Sequence, residues 1–145
     1  MSFLTNLKRW WNTKPTKLIL IKPPSGIVGQ TAIVIGTLVR KRNMTPISNA
    51  NVSVTVTPPS GTSTTVVKVT DSTGKFTVSI PLTLVGTYGV KADYLGVANQ
   101  YEAASAMTSI TSLAKAVATT LTLTPSSLTG TVGDTITISA ILQAP

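Results

Sequence analysis

The chain has 145 residues, enough for one full domain and part of another. Charged residues make up 11% of it and hydrophobic residues 42%, so composition excludes a disordered chain, and no apolar run reaches the length of a membrane-spanning helix. The net charge of +8 arises mainly because acids are few, namely Asp71, Asp93, Glu102 and Asp134; the lack of Cys and His excludes disulfides, thiolate metal sites and the usual general base.

Residues 1–15 differ from everything that follows. Phe3, Leu7 and Trp10/Trp11 fall at helical spacing, Ser2 can cap the start and Pro15 marks the stop. A short amphipathic arm with two cations, Lys8 and Arg9, is expected. Those cations interrupt any apolar stretch, so no secretory signal is expected there. A helix of about three turns is marginal alone in water and should dock on something. A protein partner ranks first, folding back onto the domain second, and a membrane surface third, since Trp and Lys suit an interface. The docking residues are Phe3, Leu7, Lys8, Arg9, Trp10 and Trp11.

From Thr16 the apolar period becomes two. Strands are predicted at about 17–22, 30–39, 50–57, 64–70, 74–80, 86–94 and 104–111. Turn chemistry separates them: Pro23-Pro24-Ser25-Gly26, Pro58-Pro59-Ser60-Gly61, Asp71-Ser72-Thr73-Gly74 and Leu95-Gly96. The inward rows should be Val52, Val54 and Val56; Phe76, Val78 and Ile80; and Tyr88, Val90, Ala92 and Tyr94. About seven short strands without intervening helices predict an all-β fold, an immunoglobulin-like Greek-key β-sandwich.

After a linker at 114–119, the opening of the sandwich returns. Val28-Gly29-Gln30-Thr31, followed by Ala32, Val34, Gly36 and Leu38, recurs as Val132-Gly133-Asp134-Thr135, followed by Ile136, Ile138, Ala140 and Leu142. The expected organisation is an arm (1–15), a sandwich (16–113), the linker (114–119) and the first strands of an incomplete second repeat (120–145). Two strands alone cannot bury a core, so Leu121, Leu123, Ile136, Ile138 and Leu142 should need a partner. Either they complete a sheet in another subunit by strand addition, or they belong to a longer array. The copies also differ on their outer faces. The second has Thr135, Thr137 and Ser139 there, whereas the first has Thr31, Ile33, Ile35, Thr37 and Val39. A strand apolar on both faces is usually covered on both, so Ile33, Ile35 and Val39 are expected at a contact.

Thr70-Asp71-Ser72-Thr73-Gly74-Lys75-Phe76, followed by Gly86-Thr87-Tyr88-Gly89-Val90-Lys91-Ala92-Asp93-Tyr94-Leu95-Gly96, resembles the bacterial and archaeal Ig-like repeats of surface proteins. The Val28-Gly29 start and the strand Ala50-Asn51-Val52-Ser53-Val54 are similar to the same repeats. The resemblance covers about residues 16–113 and resumes from 120. It implies a structural role of the kind found in adhesins, S-layer proteins, pilus-like threads and virion decorations, without naming a ligand.

Few residues here suit catalysis. Four scattered acids without His or Cys leave little for acid–base or nucleophilic work. Asp71-Ser72-Thr73-Gly74 falls short of a calcium loop and reads as a hairpin turn in which Asp71 caps its own backbone. Asn43-Met44-Thr45 and Asn51-Val52-Ser53 match the glycosylation pattern, which matters only in an exported chain. Arg40-Lys41-Arg42 reads as a solvated loop. No cofactor is expected. The expectation is therefore a non-enzymatic assembly module of a virion or other extracellular particle, with protein subunits as partners. The alternative is a repeat segment of a cell-surface adhesin, S-layer or pilus-like filament. A basic protein binding nucleic acid or a membrane surface comes last: the nucleic-acid reading rests on net charge alone, and the membrane reading on the N-terminal arm.

Overall fold

The computed structural model describes residues 13–119 together with positions 121, 130–133, 135 and 142. Two compact units are present, Met1–Ala114 and Lys115–Pro145. Among the described residues of the first, every regular element is a strand: β1 (Thr16–Ile21), β2 (Gly26–Ile27), β3 (Thr31–Arg40), β4 (Asn51–Thr57), β5 (Thr64–Val69), β6 (Lys75–Pro81), β7 (Gly86–Tyr94) and β8 (Ala104–Leu113). The predicted strands therefore exist, within a residue or two of their expected ends. Of the predicted helical arm only Thr13, Lys14 and Pro15 are described, and Lys14 makes a parallel bridge to Tyr101.

These segments become strands because Val, Ile and Thr alternate through them, and one side of each can be buried. The strands form two sheets, ordered β1-β3-β6 and β2-β8-β7-β4-β5. Their inner rows meet in one core. Leu18, Val34, Leu38, Phe76, Val78 and Ile80 come from the first sheet, and Val52, Val54, Tyr88, Val90, Ala92 and Ile110 from the second. Each such aliphatic side chain contributes roughly 1.5–3 kcal/mol on burial, so these rows dominate stability. The arrangement is that of a β-sandwich. Gly36 is fitted to it specifically: it pairs with Phe76 across the strands, and a Cβ on Gly36 would run into the Phe76 ring.

One element escaped the alternation pattern. β2 has only two residues, too few to show a period, and follows the Pro23-Pro24 pair. It pairs parallel with β8, Gly26 opposite Ser112 and Ile27 opposite Leu113, so the chain passes from the first sheet to the second within a few residues. Lys14 N–H donates to the Gln100 carbonyl (2.8 Å), Glu102 N–H to the Lys14 carbonyl (3.1 Å), and the Thr16 hydroxyl to the Glu102 carbonyl (2.7 Å). Together these contacts fasten one long side of the sandwich.

Two buried hydroxyls are paired at the corners. The Thr70 hydroxyl accepts from Ala50 N–H (2.9 Å) and donates to the Ile47 carbonyl (2.7 Å). The Tyr88 hydroxyl accepts from the N–H groups of Thr83 (2.9 Å) and Leu84 (2.8 Å). Burial alone would raise the Tyr88 pKa, but its hydrogen bonds outweigh burial and hold the phenol below its ordinary value.

In the second unit the described positions Leu121, Val132 and Leu142 are exposed. The likeness between the two Val-Gly turns extends to their backbones: Gly29 and Gly133 have φ of 95° and 107°, a region that favours glycine.

Candidate interaction surfaces

β3 has apolar residues on both faces, and the structure separates them cleanly. Ala32, Val34, Gly36 and Leu38 point into the core, while Ile33 and Ile35 are 54% and 37% exposed. Ile21 of β1 stands opposite Ile35 and is 55% exposed, with the half-buried Ile19 opposite Thr37. On the other flank, Ile33 faces Ser79 and Ile35 faces Thr77. The outer face of the three-stranded sheet is thus an isoleucine row bordered by hydroxyls, with exposed Lys17 and Lys75 on its strands. Adjacent exposed apolar side chains of this kind mark a contact surface more often than scattered ones do.

Val39 is a correction to the expected interface. It follows the same alternation but is only 4% exposed. The loop after β3 turns back, so that Val39 bridges Pro46, Arg40 N–H donates to the Thr45 carbonyl (2.8 Å) and Ile47 N–H donates to the Leu38 carbonyl (3.0 Å). The chain's own return segment lines this end of β3. Arg40 likewise departs from the solvated loop expected for Arg40-Lys41-Arg42. It ends β3, and its guanidinium lies 5.8 Å from the centre of the Tyr101 ring, as does the Lys14 ammonium. A cation over an aromatic face gains about 0.5–1 kcal/mol at an exposed site, which fits a fastening role.

The outer face of the five-stranded sheet is different in kind. Its centre carries Ser53, Thr55 and Thr57 of β4 and Thr87, Lys91 and Asp93 of β7, with a hydroxyl pair between Thr55 and Thr65 (2.9 Å) and an ion pair between Lys91 and Asp93 (3.1 Å). Val67 and Val69 are exposed on it along the β5 edge, opposite Ser53 and Asn51. Met107 is exposed there but has Lys91 directly opposite.

On the long side away from β2 the two sheets stand open. A cleft of about 300 Å³ lies between β5 and β6, lined by Val56, Val66, Val78, Ile80, Pro81 and Tyr88 among others. Val56, expected in the core, is only partly buried because it sits here. Thr64 and Val66, the latter 38% exposed, line the same opening, whereas Thr65, Val67 and Val69 are exposed on the outer face.

Asp71 behaves as the predicted turn residue. Its Oδ1 accepts from the Thr73 hydroxyl (2.7 Å), Thr73 N–H (2.7 Å) and Lys75 N–H (3.0 Å), and Gly74 follows at φ 73°. The Thr73 hydroxyl first, then the Lys75 amide, hold the Asp71 carboxyl below its ordinary pKa. Among the described residues no cluster of His, Cys, Asp and Glu could hold a metal ion. A hollow of about 560 Å³ is lined by Asn49, Asn51, Tyr94, Gln100 and Tyr101 among others, with no charged side chain in its described wall. Asn43 and Asn51, the two glycosylation-pattern residues, are exposed.

The remaining sequence-derived candidates lie elsewhere. Phe3, Leu7, Lys8, Arg9, Trp10 and Trp11, and also Leu123, Ile136 and Ile138, are outside the described residues. Leu121 and Leu142 are described and are 54% and 60% exposed. Sequence reasoning did not single out Ile21 or the β5–β6 cleft. Ile21 could have been found by extending the alternation of Ile19 outward, but the cleft depends on which strands neighbour one another.

With this geometry in view, comparison with known families is informative. The YtkA-like family model matches residues 12–93, more than half of the chain. The chain belongs to the YtkA-like family. The matched region takes in β1 to all but the last residue of β7 and leaves β8 outside it. The YtkA-like domain is thus a small β-rich module that includes both the isoleucine row and the β5–β6 cleft. No curated protein matches the chain.

Proposed function

We propose that this YtkA-like chain is a non-enzymatic structural module that works by association with protein subunits, as a component of a virion or other extracellular particle. The isoleucine row of Ile21, Ile33 and Ile35 carries the reading. Its three isoleucines stand next to one another across β1 and β3, so a single contact can cover them together.

Magnitudes show how far the row can go. Covering three partly exposed isoleucines is worth roughly 2–4 kcal/mol at ordinary burial energies. Association costs on the order of 4–15 kcal/mol in lost freedom. The row can therefore be the centre of an interface but needs further contacts. The amphipathic arm, through Phe3, Leu7, Trp10 and Trp11 with Lys8 and Arg9, and the strand-patterned segment from 120 to 145 are the segments suited to supply them.

The finer fold assignment is an immunoglobulin-like Greek key. Two observations support it. The chain alternates between sheets in the order β1-β3-β6 and β2-β8-β7-β4-β5, with β1 and β2 acting as a first strand split between them. Tyr88 at the start of β7 bonds back to the Thr83 and Leu84 amides, the tyrosine-corner arrangement of such sandwiches. The resemblance of the β6–β7 sequence to surface-protein repeats favours a second setting, a segment of a cell-surface adhesin, S-layer or filament. Capsid genes beside its own would favour the particle; an export signal encoded upstream would favour the cell surface.

Sedimentation velocity of the full chain over a range of concentrations and salt tests the reading. Concentration-dependent association that survives high salt is expected, because apolar contacts are not screened. A monomer throughout, or association that salt dissolves, contradicts it.

A further inference from the structure

We propose that the cleft between β5 and β6 is an acceptor for a β-strand, and that its occupant is the segment Thr135–Ala140 of a second copy of this chain. The inference rests on the reading above only in taking the chain to work by association.

The acceptor edge can be read from hydrogen-bond parity. Leu38 N–H donates to the Gly74 carbonyl and Leu82 N–H to the Gln30 carbonyl, both at 2.8 Å. These bonds lie at the two ends of the β3–β6 register, which runs from Thr31 opposite Pro81 to Thr37 opposite Lys75. In an antiparallel pair hydrogen-bonded and non-bonded positions alternate, so the even-numbered residues of β6 bond to β3. The N–H and C=O groups of the odd-numbered residues point away, along the edge that β6 presents as the last strand of its sheet.

That edge has defined limits. At one end Lys75 is occupied, since its carbonyl accepts from Asp71 N–H (2.8 Å) and its N–H donates to Asp71 Oδ1 (3.0 Å). At the other end Pro81 has no N–H, and Thr83 N–H is taken by Tyr88. Between them Thr77 and Ser79 offer both groups of their backbone and Pro81 offers its carbonyl. The opposite edge of the sheet, at β1, is treated differently: Lys14 and Thr16 fasten it to residues 100–102. An ordinary solvated edge would have polar surface below it. The β6 edge instead borders an apolar cleft floored by Val56, Val66, Val78, Ile80 and Tyr88.

The occupant must match three features: extended backbone, apolar side chains on alternate positions for the cleft, and small polar ones between them, beside Thr77 and Ser79. Thr135-Ile136-Thr137-Ile138-Ser139-Ala140 has this pattern, with no Gly or Pro to break it. Added beside β6, it would turn Ile136 and Ile138 into the cleft. Thr135, Thr137 and Ser139 would then extend the hydroxyl row of the outer face, where Thr–Thr and Thr–Ser pairs across strands are favourable. Backbone bonds would give affinity and the two isoleucines selectivity. The turn at 71–74 would limit the added strand to a few residues.

Amide hydrogen exchange of the full chain, followed beside sedimentation, tests this. The Thr77 and Ser79 amides should be protected where the chain associates and should exchange freely on dilution. The pair Ile136→Lys with Ile138→Lys should abolish that protection and the associated species it accompanies. Ser79→Pro should do the same while circular dichroism shows an intact sandwich. If Ser79→Pro fails to fold, the substitutions at 136 and 138, which lie in the second unit, decide alone. Protection already present in a monomer overturns the proposal, as does association unchanged by the 136/138 pair. If Ile33→Glu dissolves an assembly that the 136/138 pair leaves intact, the association reading stands and the strand acceptor falls. A chain that never associates removes both.

Discussion

The two faces of β3 bear the same class of residue in different surroundings. Val34 and Leu38 on its inner face are fully buried, whereas Ile33 and Ile35 face outward, half-exposed beside Ile21. The difference teaches that hydrophobicity along a strand does not itself say what is buried within the module. The inner row is closed by Phe76, Val78, Ile80 and the facing sheet, and it sets stability. Within the module the outer row has only the hydroxyls of Thr77 and Ser79 on one flank and isoleucines on the other. It adds little to stability and remains available for contact.

Substitutions can break or sharpen that contrast. Leu38→Ala on the inner row should cost about 2–5 kcal/mol, seen as a large fall in the urea midpoint. Gly36→Val should cost about 1–3 kcal/mol or more, because a side chain there must displace the Phe76 ring. A small effect at either position would mean that the inner row is less tightly packed than its burial implies. Ile33→Thr, measured where the chain is monomeric, should change stability by no more than about 0.5 kcal/mol, as expected for an exposed site. A larger loss would show that the outer row is covered within the monomer.

The smallest effect expected is at Asp71. Its hydrogen bonds hold its pKa below the ordinary value, so it favours folding above the unfolded-state pKa. That contribution should fade as pH falls through the lower folded-state value. A slight acid-side loss of thermal stability, absent in Asp71→Asn, is the expected result. An identical profile in the two proteins would indicate that the turn bonds do not distinguish the ionised carboxyl.

Much of the fold was legible in the sequence because alternation is a local signal. Phe76, Val78 and Ile80, and Tyr88, Val90, Ala92 and Tyr94, are buried as their spacing predicts. The Asp71 turn was legible for the same reason, since its bonds stay within four residues. What escaped depends on tertiary neighbours. β2 is a strand only because β8 runs beside it, and Val39 is buried because the chain returns along it through Pro46. Val56 follows the inward alternation but borders the open cleft instead of the closed core. Of the candidate surface, Ile33 and Ile35 were visible by comparing the two copies of the repeated opening, whereas the β6 edge required the strand order.

The most direct test is a matched pair of double substitutions in the full chain, compared with the native protein by sedimentation velocity. One places Glu at Ile33 and Ile35; the other places Glu at Thr87 and Met107 on the outer face of the five-stranded sheet. The assembly reading predicts that Ile33→Glu with Ile35→Glu leaves a folded monomer, while Thr87→Glu with Met107→Glu associates like the native chain. Equal association in all three proteins would contradict it.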